Sequence, residues 1–255
     1  MLYTKLAIGG ALAVSIAVVV YKMHWLTKAG AGLGGAVGAH VVLVGGTAWA
    51  LPLVAFVVSG SLLARLDGPS NETTPPRTAV QVLANGGVAW AALAALPYTD
   101  GMVAYLAFMG ALATATADTW GTEIGTRWHG QAWSLATRRW VKAGASGAIS
   151  VAGTAAGVVG ASVIAALAAG VGPLSWGMAG WVAASGVGGS LVDSVLGAFV
   201  QAQYATPGDT TLHDTPAAAS DTPARGFRLL TNSGVNALAT LAGSALAMSS
   251  TQWML

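Results

Sequence analysis

Three carboxylates stand out in a chain of 255 residues of which only 8% are charged: Asp118, Glu123 and Asp193. Asp118 and Glu123 lie in Ala117-Asp118-Thr119-Trp120-Gly121-Thr122-Glu123-Ile124-Gly125, directly after an apolar run at 102–117. Asp193 lies in Gly188-Gly189-Ser190-Leu191-Val192-Asp193-Ser194. An acid at the centre of a bilayer costs about 2.5–3.5 kcal/mol on insertion scales, so such acids are as a rule functional or paired. Two further sets of polar residues have helical spacing. Arg77, Gln81 and Asn85 repeat at i, i+4, i+8, and Asn232 and Asn236 at i, i+4, so each set shares one helix face.

Carboxylates with Asn and Gln oxygens are hard donors and suit Mg²⁺, which takes a few carboxylates, waters and phosphate oxygens. Zinc is disfavoured, because His24, His40, His129 and His213 show no ligand spacing and the chain has no Cys. The absence of Cys also excludes disulfides and a thiol nucleophile. Phosphate chemistry is suggested by the segment 127–147. There Arg138-Arg139-Trp140-Val141-Lys142 precedes Gly144-Ala145-Ser146-Gly147, which is expected to open the sixth helix. A Gly/Ser turn at a helix start offers free N–H groups and the positive dipole end to an anion. On this reading Arg138, Arg139, Lys142 and Ser146, with Ser194 and Gln201 from the seventh helix, hold nucleotide phosphates. The alternatives are a positive-inside loop lying on anionic headgroups, and acids that each pair with an Arg to seal a helix junction.

The elements that must position these residues follow from composition. Hydrophobic residues make up 55% of the chain, mean hydropathy is +0.65, and there are 35 Gly. That is above the apolar share of soluble domains, and several uncharged runs are long enough to span a bilayer. The net charge of +2 is too small to suggest a nucleic-acid partner. The expected fold is an all-α polytopic membrane protein, one domain over 1–255. Its eight transmembrane helices are expected near 4–21, 29–45, 47–64, 78–96, 102–118, 147–170, 175–201 and 229–249. Ten of the 11 Lys and Arg fall in one set of loops, leaving Lys5 alone on the other side. The positive-inside rule then places both termini outside and the long loops in the cytoplasm. The first segment lacks a small-residue cleavage site after Val20 and is read as a helix rather than a signal peptide. Trp25, Trp49, Trp120, Trp176 and Trp253 lie near helix ends, as interfacial anchors do.

The dense Gly residues are expected to serve close helix packing. Gly30-Ala31-Gly32-Leu33-Gly34-Gly35 formally matches a dinucleotide fingerprint but has no preceding strand. The polar stretch 203–223, with Asp209, Asp214 and Asp221, reads as a mobile cytoplasmic loop. With this sidedness, polar groups from the fourth, fifth, seventh and eighth helices converge at one depth. Glu123 is the outlier, about 140° round an ideal helix from Asp118, so sharing a metal would require unwinding near Gly121.

At these motifs the chain resembles the integral-membrane family that includes phytyl-phosphate kinase of plants and cyanobacteria and animal transmembrane protein 19. The resemblance runs in order through Leu26-Thr27-x-x-Gly30-Ala31, Arg77-x-x-x-Gln81-Val82-x-Ala84-Asn85-Gly86 and Ala117-Asp118-Thr119-x-x-x-Glu123-Ile124-Gly125. It continues through Gly147-Ala148-Ile149-Ser150-x-x-Gly153-Thr154-x-Ala156-Gly157, Asp193-Ser194-x-Leu196-Gly197-Ala198-x-x-Gln201 and Asn232-x-x-Val235-Asn236. Ser233 departs from the pattern, standing where that family typically carries Asp. The resemblance implies a kinase that converts an isoprenoid monophosphate to its diphosphate with a nucleoside triphosphate, CTP or ATP. Its acids would fall on Asp118, Glu123 and Asp193. The expectation is therefore a Mg²⁺-dependent kinase in a prokaryotic inner membrane with its site facing the cytoplasm. Arg77, Gln81, Asn85, Asn232 and Asn236 would contact the lipid phosphate. The competing expectations are a cation- or proton-coupled transporter and a nucleotidyltransferase acting on a lipid phosphate.

Overall fold

A computed structural model describes residues 2–66, 75–128, 130–205, 212–216, 218 and 222–253. Among these lie eight α-helices: α1 (Leu2–Lys22), α2 (Lys28–His40), α3 (Thr47–Leu63), α4 (Ala79–Ala94), α5 (Gly101–Arg127), α6 (Val151–Val171), α7 (Trp176–Phe199) and α8 (Asn232–Met248). A π-helical turn, Val41–Gly45, extends α2. The helices fall where hydropathy places them, with two differences that bear on function. The fifth helix does not stop near 118 but runs unbroken to Arg127. The sixth begins at Val151 rather than 147, because Ser150 supplies its N-cap and accepts from the Gly153 N–H at 3.1 Å.

Between them, 127–147 is not an open loop. Strands β1 (Gln131–Ser134) and β2 (Arg139–Lys142) form a hairpin, and β3 (Ala148–Ile149) adds to the other edge of β1. Arg138 takes a left-handed conformation (φ 52°) at the tight turn. A second small pair, β4 (Tyr204–Ala205) with β5 (Leu212–His213), folds back the segment after α7.

Among the described residues, five helical segments are long and apolar enough to cross a membrane: Lys28–Gly45, Ala79–Tyr98, Gly101–Arg127, Val151–Val171 and Trp176–Phe199. Leu6–Lys22 and Thr47–Leu63 are apolar but shorter. The sequence reading expects eight spans. The 17-residue α8 carries Asn232, Asn236, Thr240 and Ser244, which lower its hydropathy.

α5 is the axis of the bundle. Every residue from Ala104 to Ala117 is buried, as expected of a helix apolar on all sides, and α3, α4, α6, α7 and α8 all pack on it. Small residues permit the approach. A Cβ on Gly153 of α6 would lie 2.8 Å from the Gly121 carbonyl oxygen of α5, and one on Gly157 would lie 3.0 Å from that of Ala117.

Candidate functional site

One cavity of about 400 Å³ opens at the end of the bundle where α5 and α7 finish and α4, α6 and α8 begin. Its walls come from the C-terminal parts of α5 and α7 and the N-terminal parts of the other three. The polar groups expected from four helices meet at this end of the bundle, with α6 as a fifth contributor.

Asp118 and Asp193 both line this cavity. Asn236 joins them from α8. Oriented so that its amide nitrogen faces two acceptors, it donates to Asp193 Oδ2 at 3.0 Å and to the Asn232 carbonyl at 2.9 Å. The other end of the same amide faces the Asn85 side chain on α4 at 3.3 Å, a contact that is a hydrogen bond only in the opposite amide orientation, so the bond to Asp193 joins α7 and α8 at the acid. Asn232 also faces the cavity.

Arg77 is placed by its backbone. It forms a parallel bridge with Leu26, accepting from the Thr27 N–H and donating to the Trp25 carbonyl, both at 3.0 Å. The Thr78 cap then starts α4. Gln81 closes a capping box, its Oε1 accepting from the Thr78 N–H at 2.8 Å. The Arg77 guanidinium reaches across to Gly60 of α3, where a Cβ would lie 3.5 Å from either terminal nitrogen. Burial draws this group below the usual arginine range, opposed by the charges of Glu123 and Asp118, while the nearby Arg65 adds to the lowering.

Glu123 stands apart from the other acids. Because α5 continues without a break, no unwinding at Gly121 brings Glu123 round to Asp118. It forms an ion pair with Arg127 at 2.8 Å, the i, i+4 partner on its own helix. Arg127 in turn donates to the Leu66 carbonyl at 3.1 Å, fastening the end of α5 to the segment after α3. Glu123 still lines the cavity, but with one oxygen engaged in a structural pair.

The basic cluster does not reach the site. Arg138 and Arg139 lie at the exposed turn of the hairpin and Lys142 on its outer face, and none of the three lines the cavity. Lys142 is paired with Gln131 on the outer face and the two arginines stand at the far, exposed turn, while the chain carries the next residues, Ala143 to Gly147, to the cavity wall. Ser146 is central there. It accepts from buried Gln201 Nε2 at 3.1 Å and donates to Asp214, whose carboxylate oxygens lie at 2.8 and 2.9 Å. Ser194 lines the cavity and donates to the Ser190 carbonyl at 3.3 Å.

Asp214 is the residue that sequence reading passes over. The stretch 203–223 reads as solvated, yet Gln203 and Tyr204 are buried and β4–β5 pairing sets Asp214 at the cavity. Asp209 and Asp221, and any mobility of 206–211 and 219–221, lie outside the described residues. Of the histidines, His40 accepts from Trp90 Nε1 at 2.9 Å, and His129 lies outside the described residues.

Four carboxylates and one guanidinium line the cavity among the described residues: Asp118, Glu123, Asp193 and Asp214 against Arg77. No three His, Asp or Glu side chains among them converge into a ready-made metal cage. A divalent cation held by two carboxylates and completed by substrate oxygens fits this donor set, and Mg²⁺ is commonly bound so.

The residues that line this cavity fall within the span matched by the model of the family named integral membrane protein DUF92, residues 11–244. The chain belongs to this family. The chain is also similar to an uncharacterized membrane protein of Methanocaldococcus jannaschii, 30% identical over 158 residues. That alignment covers 58% of the present chain and 63% of the relative. No solved structure matches. Membership makes the chain an integral membrane protein, so the cavity belongs to a bilayer-embedded bundle.

Proposed function

We propose that this DUF92 member is a kinase that transfers a phosphoryl group from a nucleoside triphosphate, CTP or ATP, to an isoprenoid monophosphate. The observation that carries this reading is the pairing of Asp118 and Asp193 with Arg77 and Asn236 around one cavity at one end of the bundle. The resemblance of these motifs to phytyl-phosphate kinase supports it. The Lys/Arg bias puts this end on the cytoplasmic side, where nucleotide is available.

In this reaction an oxygen of the monophosphate attacks the γ-phosphorus. The bond to the β-bridging oxygen breaks, and nucleoside diphosphate leaves with that electron pair. Arg77 binds the lipid phosphate and holds it in line, with Asn85 and Asn232 as neutral partners. Ser146 and Gln201 contact the nucleotide. Asp118 and Asp193 would hold Mg²⁺, which supplies charge neutralisation for the crowded phosphates. Asn236 aims Asp193 through its amide N–H. A phosphate monoester is already a competent nucleophile near neutral pH, so no strong base is needed. Leu191 lines the cavity yet is 44% exposed, on an outward stripe with Val195 and Phe199. That stripe gives the prenyl chain an apolar exit toward lipid.

The test is purified protein with prenyl monophosphates and labelled CTP or ATP. Diphosphate should form, and Asp193→Asn should not make it. No diphosphate at any chain length would overturn the proposal, and release of pyrophosphate instead would identify a nucleotidyltransferase. The excess of acids over Arg77 also suits a cation-coupled transporter. Flux in proteoliposomes that depends on Asp118, without phosphoryl transfer, would establish that reading.

A further inference from the structure

The hairpin that carries Arg138, Arg139 and Lys142 away from the cavity has two unlike faces. In an antiparallel pair, directly opposed residues share a face and successive residues alternate. The register pairs Gln131 with Lys142 and Trp133 with Trp140 on one face, and Ala132 with Val141 and Ser134 with Arg139 on the other, Arg139 standing at the turn end of that face. The inner face is buried at Ala132, which lines the cavity. The outer face is open. Trp133 and Trp140 meet edge to face there, centroids 5.4 Å apart, and Trp140 is 60% exposed. Lys142 sits beside them, and Arg138 and Arg139 are exposed at the turn.

Water is a poor partner for two large indoles held together on an outer face. Other apolar residues are exposed at this end of the bundle. Trp128, at the end of α5, is exposed, as are Val151 at the start of α6 and Phe227 and Leu229 just before α8. These residues ring the end of the bundle that holds the cavity. Indoles interleaved with cations are the composition that settles at headgroup depth, where the ring sits at the acyl boundary and the charge meets lipid phosphate.

We propose that the outer face of the β1–β2 hairpin docks on the anionic headgroup surface of the bilayer in which the protein is embedded. Trp133 and Trp140 insert at the interface, and Arg138, Arg139 and Lys142 bind lipid phosphate. The chemistry favours lipid over a nucleobase platform because Lys142 shares the indoles' face, Arg138 and Arg139 are exposed at the adjoining turn, and the cavity lies on the opposite face. It requires only that the chain is membrane-embedded, so it stands or falls separately from the kinase reading. Because the inner face lines the cavity and Ala143 to Gly147 follow directly, seating the hairpin also fixes that wall.

The chain has no cysteine, so Gln131→Cys on the same outer face gives a unique spin-label position. The labelled full-length protein is placed in nanodiscs of phosphatidylcholine with or without phosphatidylglycerol. With the anionic lipid, accessibility to an aqueous nickel chelate should fall several-fold and accessibility to oxygen should rise. High salt, or Arg138→Gln with Arg139→Gln and Lys142→Gln, should reverse both changes. A label equally open to nickel in both discs would overturn the proposal. So would protection by CTP in neutral discs, which would mark the indoles as a base-stacking platform.

Discussion

Asn236 of α8 donates to Asp193 Oδ2 of α7 at 3.0 Å, and so one hydrogen bond joins the acid to the helix that lies beside α4 at the cavity. A hydrogen bond to an ionised group contributes about 1.5–3 kcal/mol, more than a neutral one. The Asn236→Ala variant should therefore lose about ten- to a hundred-fold in kcat/KM for phosphoryl transfer. Asn236→Asp should lose more, since it sets a like charge against Asp193. Retained activity in both, measured as labelled diphosphate formed by folded protein, would show that Asp193 needs no such support.

Asp118 and Glu123 are five residues apart on one unbroken helix and should behave differently. The ion pair of Glu123 with Arg127 is partly exposed, with side chains 22% and 21% accessible. Such pairs contribute about 0–1 kcal/mol. Glu123→Gln should leave activity within a few-fold and shift the melting temperature little. Asp118→Asn should abolish transfer while the protein stays folded, checked by thermal melting in detergent. Equal loss in the two variants would return Glu123 to the metal site.

How much of this was legible in the sequence depends on the range of the interaction. Hydropathy placed the helices because apolar runs in a bilayer protein are local signals. The Lys/Arg count and helical spacing brought Arg77, Asn85, Asp118, Asp193 and Asn236 to one end, and the structure gathers them there. The hairpin was missed because strands of four residues, with cations at 138, 139 and 142, show no clean alternation in hydropathy. Asp214 was missed because its place comes from pairing across residues far apart in type and from contact with Ser146, 68 positions away. The extension of α5 past Asp118 was missed because Thr119 to Arg127 is polar enough to look like a loop. Its polarity instead lines a cavity.

Arg77 is the lone cation among the described residues lining the cavity, and its backbone bridge to Leu26 is independent of its side chain. Arg77→Lys should thus keep the fold at the α2–α4 junction. It should still weaken phosphate binding, because an ammonium cannot present the planar two-donor fork. The expected outcome is a KM for the lipid monophosphate raised about tenfold, equivalent to about 1.4 kcal/mol, with a smaller change in kcat. A change confined to the nucleotide KM would reassign Arg77 to the donor side.

Gly153 tests whether the small residues at the α5–α6 contact are required or incidental. An added Cβ would lie 2.8 Å from the Gly121 carbonyl and 2.9 Å from Ser150 Oγ, the atom that caps α6. The carbonyl belongs to a helix backbone and cannot swing aside. Ala gains about 1 kcal/mol over Gly in helix propensity. Overpacking a tight contact costs about 1–3 kcal/mol, and disturbing an N-cap adds about 1 kcal/mol. The costs outweigh the gain, so Gly153→Ala should melt several degrees below the native protein. Gly32 of α2 provides the opposite case, with nothing within 4 Å of its added Cβ. Gly32→Ala should therefore be neutral or stabilising by the propensity gain alone. Melting curves that rank the two variants the other way would show that α5 and α6 can separate without loss, and the cavity wall they form would then not be fixed by their packing.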